Sequence, residues 1–189
     1  KDGDYAAFDQ GMTALVRALV KFERWDEILK PGAIPWRDLD SDRNMRGWAE
    51  TLAFVGQGRA VDARFRLDEW KSAIRAQAAK DKSESAGTDG PYGDSAGRVN
   101  AAEGLLRVAE GKILEGAALL GSAAALENRL REEDRYSDDP PQDAWPVTRA
   151  LGDAYLAQGD YRLAIDSYAK ALVFEPNDAF SLSGLARAH

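Results

Sequence analysis

Three carboxylates at alternate positions, Asp38, Asp40 and Asp42, have the spacing with which a tight turn offers oxygen ligands to a hard cation such as calcium. The rest of that pattern is missing. Arg43 stands where a calcium loop needs glycine, and Ala49 stands where the closing glutamate would bind. A solvated acidic loop explains these residues more simply, with Asp42 or Asn44 capping the helix that follows. A second run, REEDRYSDDPP at 131–141, sets five carboxylates in eleven residues. Acid-base hydrolysis needs two carboxylates facing each other across a pocket, and a mixed-charge helix end running into Pro140 and Pro141 offers no such pocket. Asp89 and Asp94 read as turn residues. The sole histidine, His189, is terminal and there is no cysteine, so a Ser-His-Asp triad, a histidine metal triad and thiolate chemistry have no support. The glycines follow no GxxxxGK[ST] pattern and no strand precedes them. No catalytic residue, metal or cofactor is expected.

The chain has 189 residues, 25 Lys plus Arg against 32 Asp plus Glu, a net charge of -7 and 44% hydrophobic residues. That suits one ordinary domain or a compact array of small repeats, burying roughly 70% of the unfolded surface. The acidic balance argues against nonspecific nucleic-acid binding, which lysine and arginine drive. No apolar run approaches the ~20 residues of a membrane span, and KDGDYAAFDQ is not a signal peptide. A first residue other than Met is compatible with a removed export signal, so the compartment, cytoplasmic or exported, stays open.

Elements that would position any site read as helices throughout, because alternating β-branched runs are almost absent while glycine and proline punctuate apolar stripes of helical period. Over 4–22, Tyr5, Phe8, Met12, Leu15, Val16 and Leu19 recur every three or four residues and share one face. A short helix at 25–29 is stopped by Pro31-Gly32, and 30–42 reads as loop. Further helices are expected at 44–55, 59–79, 98–110, 112–133, 145–158, 161–173 and 179–189. Between them, 80–97 is a flexible linker by composition, with limited proteolysis expected there first, and 134–143 is a polar loop.

Internal self-similarity is the most informative feature. Counting Trp145 as position 1, Leu151 and Gly152 fall at 7 and 8, Tyr155 at 11, Gly159 at 15, Ala164 at 20, Tyr168 at 24, Ala171 at 27 and Pro176 at 32. Two antiparallel helices can approach closely where side chains are small, at 8, 20 and 27, while the large residues fill the gaps. Gly111 aligns a weaker copy starting at Gly97, with Gly104, Gly116, Leu120 and Ala123 at 8, 20, 24 and 27. Gly58 aligns another starting at Asn44, with Phe54, Ala63 and Leu67 at 11, 20 and 24, although Trp70 takes the small position 27. A degenerate copy starts near Asp9 and is cut short by Pro31. The resulting units are 9–43, 44–79, 97–133 and 145–178, followed by a helix at 179–189 that caps the exposed apolar end.

The unit at 145–178 resembles a tetratricopeptide repeat almost position for position. The ordered combination of FERWDEIL, GWAETLAFVGQGRAVDARFRL, the stretch around DRYSDDPPQDAW and the ending NDAFSLSGLARAH is similar to the C-terminal part of a bacterial family of larger tetratricopeptide proteins. That resemblance implies an all-α, right-handed superhelix of antiparallel helix pairs, often exported and with no established reaction. It also implies that positions 2, 5, 9 and 12 of each first helix face a concave groove for a peptide or partner helix. Here those positions hold Met45, Trp48, Leu52 and Val55, then Arg98, Ala101, Leu105 and Val108, then Pro146, Arg149, Asp153 and Leu156. The set suits a hydrophobic segment bearing an acidic group, with Trp48 as the expected anchor. The residues of a carboxylate clamp for chaperone C-termini are absent, since Trp48 and Leu52 hold its Lys and Asn places.

The expected function is noncatalytic protein-protein interaction with a protein or peptide partner. The alternatives are a C-terminal module of a larger envelope-associated enzyme or assembly factor, and weak metal or ligand binding through the acidic loops. A monomer is the default, and self-association through the apolar face of the first unit is the other option.

Overall fold

The computed structural model describes residues 2–81, 92, 95–133 and 146–189, and among these residues there are nine α-helices and no strand. The protein is all-α. Most of the expected linker at 80–97, the polar loop at 134–143 and Trp145 lie outside the described residues. Helix packing divides the chain into two compact units, one holding the first four helices and the other the last five.

In the first unit, α1 (Asp2–Lys21) packs on α2 (Trp25–Leu29) and α3 (Asp40–Gly56), α2 packs on α3, and α3 pairs with α4 (Ala60–Asp81). The buried stripe of α1 is Met12, Val16 and Val20, one residue per turn. Phe8 and Leu15, which spacing alone puts on that face, lie at its margins and are 39% and 41% exposed. The Phe8 ring is instead covered by the Arg37 guanidinium, 4.7 Å from its centroid. The side chain of Tyr5 is outside the described ones.

Helix α3 begins four residues earlier than its apolar periodicity indicates, so Asp40 and Asp42 sit in its first turn, where the helix dipole favours negative charge. Neither Asp42 nor Asn44 caps it. The N-cap is Leu39, with no side-chain cap bond. Asp42 instead accepts from the Arg37 backbone N–H (2.9 Å), Nε (2.9 Å) and Nη2 (2.7 Å), and Asn44 accepts from the Trp70 indole at 2.6 Å. Trp70 is 1% exposed at a repeat position where a small residue is the rule. Gly47 makes room for it: a Cβ there would stand 2.4 Å from the indole Cγ.

In the second unit, α5 (Ala96–Ala109) packs on α6 (Ile113–Glu133) and α7 (Val147–Gln158), α6 packs on α7, α7 packs on α8 (Tyr161–Phe174) and α9 (Ala179–Ala188), and α8 packs on α9. Each helix therefore touches its sequence neighbour, and among the alternate pairs α7 touches α5 and α9 whereas α6 and α8 do not meet. Small residues govern the closest approach, as the spacing predicts. A Cβ on Gly116 would stand 2.6 Å from the Gly104 carbonyl oxygen, and one on Gly152 would stand 2.8 Å from the Tyr168 ring. The same ring lies against Gly184 of α9. Asp160 caps α8 by accepting from the Leu163 N–H, and Asp178 caps α9 by accepting from the Ser181 N–H.

One turn recurs four times. At Gly58, Gly111 and Gly159 the backbone is left-handed, with φ of 72°, 79° and 82°. In each case the glycine N–H donates three residues back, to Val55, Val108 and Leu156, and the next N–H donates five back, from Arg59 to Phe54, Lys112 to Arg107 and Asp160 to Tyr155. These are the reciprocal bonds of a Schellman ending. The α1–α2 turn makes the same pair, Glu23 to Val20 and Arg24 to Leu19, and Glu23 takes φ 53° without being glycine. All four turn residues stand at position 15 of units counted from 9, 44, 97 and 145.

Candidate interaction surface

Residues expected to line a groove have different fates in the two units. In the first, Trp48 is 4% and Leu52 2% exposed, while Met45 and Val55 are half-buried. Trp48 and Leu52 are thus withdrawn from solvent, and burial of apolar area accounts for them. They do not supply an anchor that a partner could reach in this conformation.

In the second unit the first helix of each pair contributes to an accessible surface. From α5, Arg98, Leu105 and Val108 are half-buried and Ala101 is buried. From α7, Pro146 and Arg149 are buried, Leu156 is half-buried and Asp153 is exposed. The guanidinium of Arg149 lies 4.7 Å from the centroid of the Phe180 ring of α9, a cation-π contact that leaves the ring 41% exposed. Asp153 accepts a 2.7 Å hydrogen bond from the Tyr168 hydroxyl. Crowding by neighbouring atoms raises the Asp153 carboxyl above its ordinary value, while the Tyr168 bond and the charges of Arg149 and Arg187 pull it down. Burial and the same hydrogen bond push the Tyr168 hydroxyl upward, so it stays protonated as a donor. Since Asp153 keeps over a third of its surface in water, its second oxygen can meet a ligand.

The structure thus brings Arg149 and Asp153 together and adds Phe180 and Arg187. Both come from the helix expected only to cap the array. Extending the repeat by 34 residues from Trp145 starts a unit at Ala179, which puts Phe180 at position 2 and Arg187 at position 9. That register was the available signal. Tyr168, placed as a gap-filler at position 24, also turns its hydroxyl to the surface carboxylate.

No family model, curated protein or solved structure matches this chain. The relation among the helix pairs is internal, carried by the four equivalent turns and the packing order within each unit.

The acidic triplet, Asp38 before α3 and Asp40 and Asp42 in its first turn, is taken up by arginines. Arg43 donates to Asp38 at 2.6 Å and to Asp40 at 2.5 Å, and Arg37 holds Asp42 and reaches Asp9 at 2.6 Å. Among the described residues no group of three or more His, Cys, Asp or Glu side chains could hold a metal ion. No described helix is long and apolar enough to cross a membrane. The run at 131–141, read as a helix terminus and loop, lies mostly outside the described residues, as do Asp89 and Asp94.

Proposed function

We propose that this chain is a tetratricopeptide-like repeat module, a right-handed superhelix of helix pairs, that binds a protein segment without catalysing a reaction. The surface that serves this role best is formed by α5, α7 and α9. The observation that carries the reading is the cluster of Arg149, Asp153, Phe180 and Arg187, where an exposed aromatic ring, a carboxylate and a guanidinium converge near Leu156, which packs with Tyr168 and Ala188. A hydrophobic peptide or helix bearing an acidic group fits it: apolar side chains meet Leu156 and Phe180, and the acidic group meets Arg187. Its backbone N–H groups have Asp153 as an acceptor. The four equivalent turns and the alternate-neighbour packing support the repeat assignment.

Affinity capture of partners by the intact chain, compared with an Arg187→Glu variant, tests the reading. Arg187 is exposed, so the substitution spares the fold. Loss of a partner with the variant is expected. Partners retained equally by both chains would place recognition elsewhere.

A further inference from the structure

A polar cleft of about 530 Å³ opens in the first unit, between the stretch of α3 from Arg43 to Glu50 and the middle of α4, and its lining includes Asp38, Arg43, Arg46, Glu50, Arg66 and Glu69, with Trp70. At its centre, Glu50 bridges two arginines. One carboxylate oxygen accepts from Arg46 Nε and the other from Arg66 Nε, each at 2.7 Å. Both guanidinia are therefore gripped by the Nε side, which leaves their Nη groups as remaining donors. Among the described residues, the only further bond to these groups runs from Arg66 Nη1 to Glu69, at 3.3 Å and with Glu69 half exposed. A long, solvent-screened pair of that kind is readily exchanged. The Glu50 side chain is 13% exposed and the Arg66 side chain 19% exposed, so the bridge is shielded, whereas Arg46 at 49% exposed faces the opening.

Arg46 and Arg66 share Glu50, and once the half-exposed Glu69 swings away from Arg66 the pair carries one positive charge in excess, with several N–H donors at the mouth of the cleft. Arginine forks match tetrahedral oxyanions through paired N–H···O bonds. We propose that this cleft binds a tetrahedral dianion of the phosphate or sulfate class, with Arg46 and Arg66 as the ligating residues and Glu50 as the residue that orients them. The bound oxyanion displaces Glu69 from Arg66 and completes a clamp between the two forks. Arg43, also in the lining, has its three nitrogens bonded to Asp38 and Asp40 and takes no part in the clamp. Trp70 closes the back of the cleft and has its indole N–H satisfied by Asn44. The site lies on different helices from the surface proposed for protein partners, so each can fail without the other.

Isothermal titration of the full chain at low ionic strength with inorganic phosphate, sulfate and acetate tests the assignment. Saturable one-to-one binding of phosphate and of sulfate is expected, tighter than that of acetate. An Arg46→Gln variant should weaken it about tenfold or more, the scale of a lost hydrogen bond to a charged group. Arg59→Gln, which removes a guanidinium paired with Asp62 outside the cleft, should leave it unchanged. No saturation by either at about 10 mM, acetate binding as tightly as both, or equal losses in the two variants would overturn the proposal.

Discussion

Gly104 and Gly116 bring α5 and α6 so close that a Cβ on Gly116 would stand 2.6 Å from the Gly104 carbonyl oxygen and also 2.6 Å from Val108 Cγ2. Gly121, five residues further along the same helix, would meet nothing within 4 Å. Alanine should act oppositely at the two positions. Gly116→Ala should destabilise the protein by about 1–3 kcal/mol, because α5 and α6 must separate. Gly121→Ala should stabilise it by about 0.5–1 kcal/mol, by reducing the freedom of the unfolded chain. Denaturant titration of both variants checks this, and effects of the same sign would contradict the close-approach account.

Glu23 occupies in the first turn the left-handed place that glycine fills in the other three. A left-handed non-glycine residue costs about 1–2 kcal/mol. Glu23→Gly relieves that strain but adds freedom to the unfolded chain, so a net gain of about 0.5 kcal/mol is expected. Gly159→Ala should instead lose about 1 kcal/mol. A thermal melt of each variant distinguishes the two directions, and a loss on Glu23→Gly would mean that its side chain contributes more than its backbone strain costs.

Trp70 and Gly47 are matched in size across α3 and α4. Gly47→Ala should cost about 1–3 kcal/mol by driving a methyl group into the indole, and Trp70→Ala about 3–5 kcal/mol by leaving a cavity. The double variant should be less destabilised than the sum, by at least about 1 kcal/mol, because the alanine then meets vacated space. Strict additivity would show that the two residues are not coupled.

Arg37 holds the Asp42 carboxyl below its ordinary value of 3.8. A carboxyl depressed in the folded state contributes stability that is fully present above that ordinary value and is lost as pH falls through the lower folded value. Asp42→Asn should therefore be less stable than the parent at neutral pH. The gap should close on acidification below about pH 4, as the parent's own carboxyl becomes protonated. Melting temperatures of both proteins from pH 7 down to pH 2.5 check this, and a gap independent of pH would assign the effect to shape and not to charge.

Most helices were legible in the sequence because they carry apolar stripes of helical period and several, α3, α5, α7 and α8 among them, end within two residues of a glycine or proline. The α2 range, 25–29, matches the sequence reading residue for residue, and α8 matches to within one residue. The start of α3 was not legible, because Asp40 and Asp42 read equally well as loop residues and as a favourable first turn. The Trp70 position could not be judged alone. Its partner Gly47 lies 23 residues earlier, and only packing connects them. Within the expected surface, Trp48 and Leu52 are buried, and spacing could not foretell it because a groove-facing residue and a core residue share the same periodicity. Phe180 and Arg187 were left out of that surface because α9, although it begins a further repeat in register, was read as a capping helix, and its groove positions were not counted.

The central claim is that the surface of α5, α7 and α9 binds a hydrophobic segment with an acidic group. The most direct measurement is selection of peptides from a random display library on the full chain. Binding of the enriched peptides to the parent, Phe180→Ser and Arg187→Glu proteins should then be compared by fluorescence anisotropy. The account predicts enriched sequences that combine apolar residues with Asp or Glu and lose about tenfold or more in affinity with either substitution. Enrichment of basic sequences, or affinities unchanged by both substitutions, would contradict it.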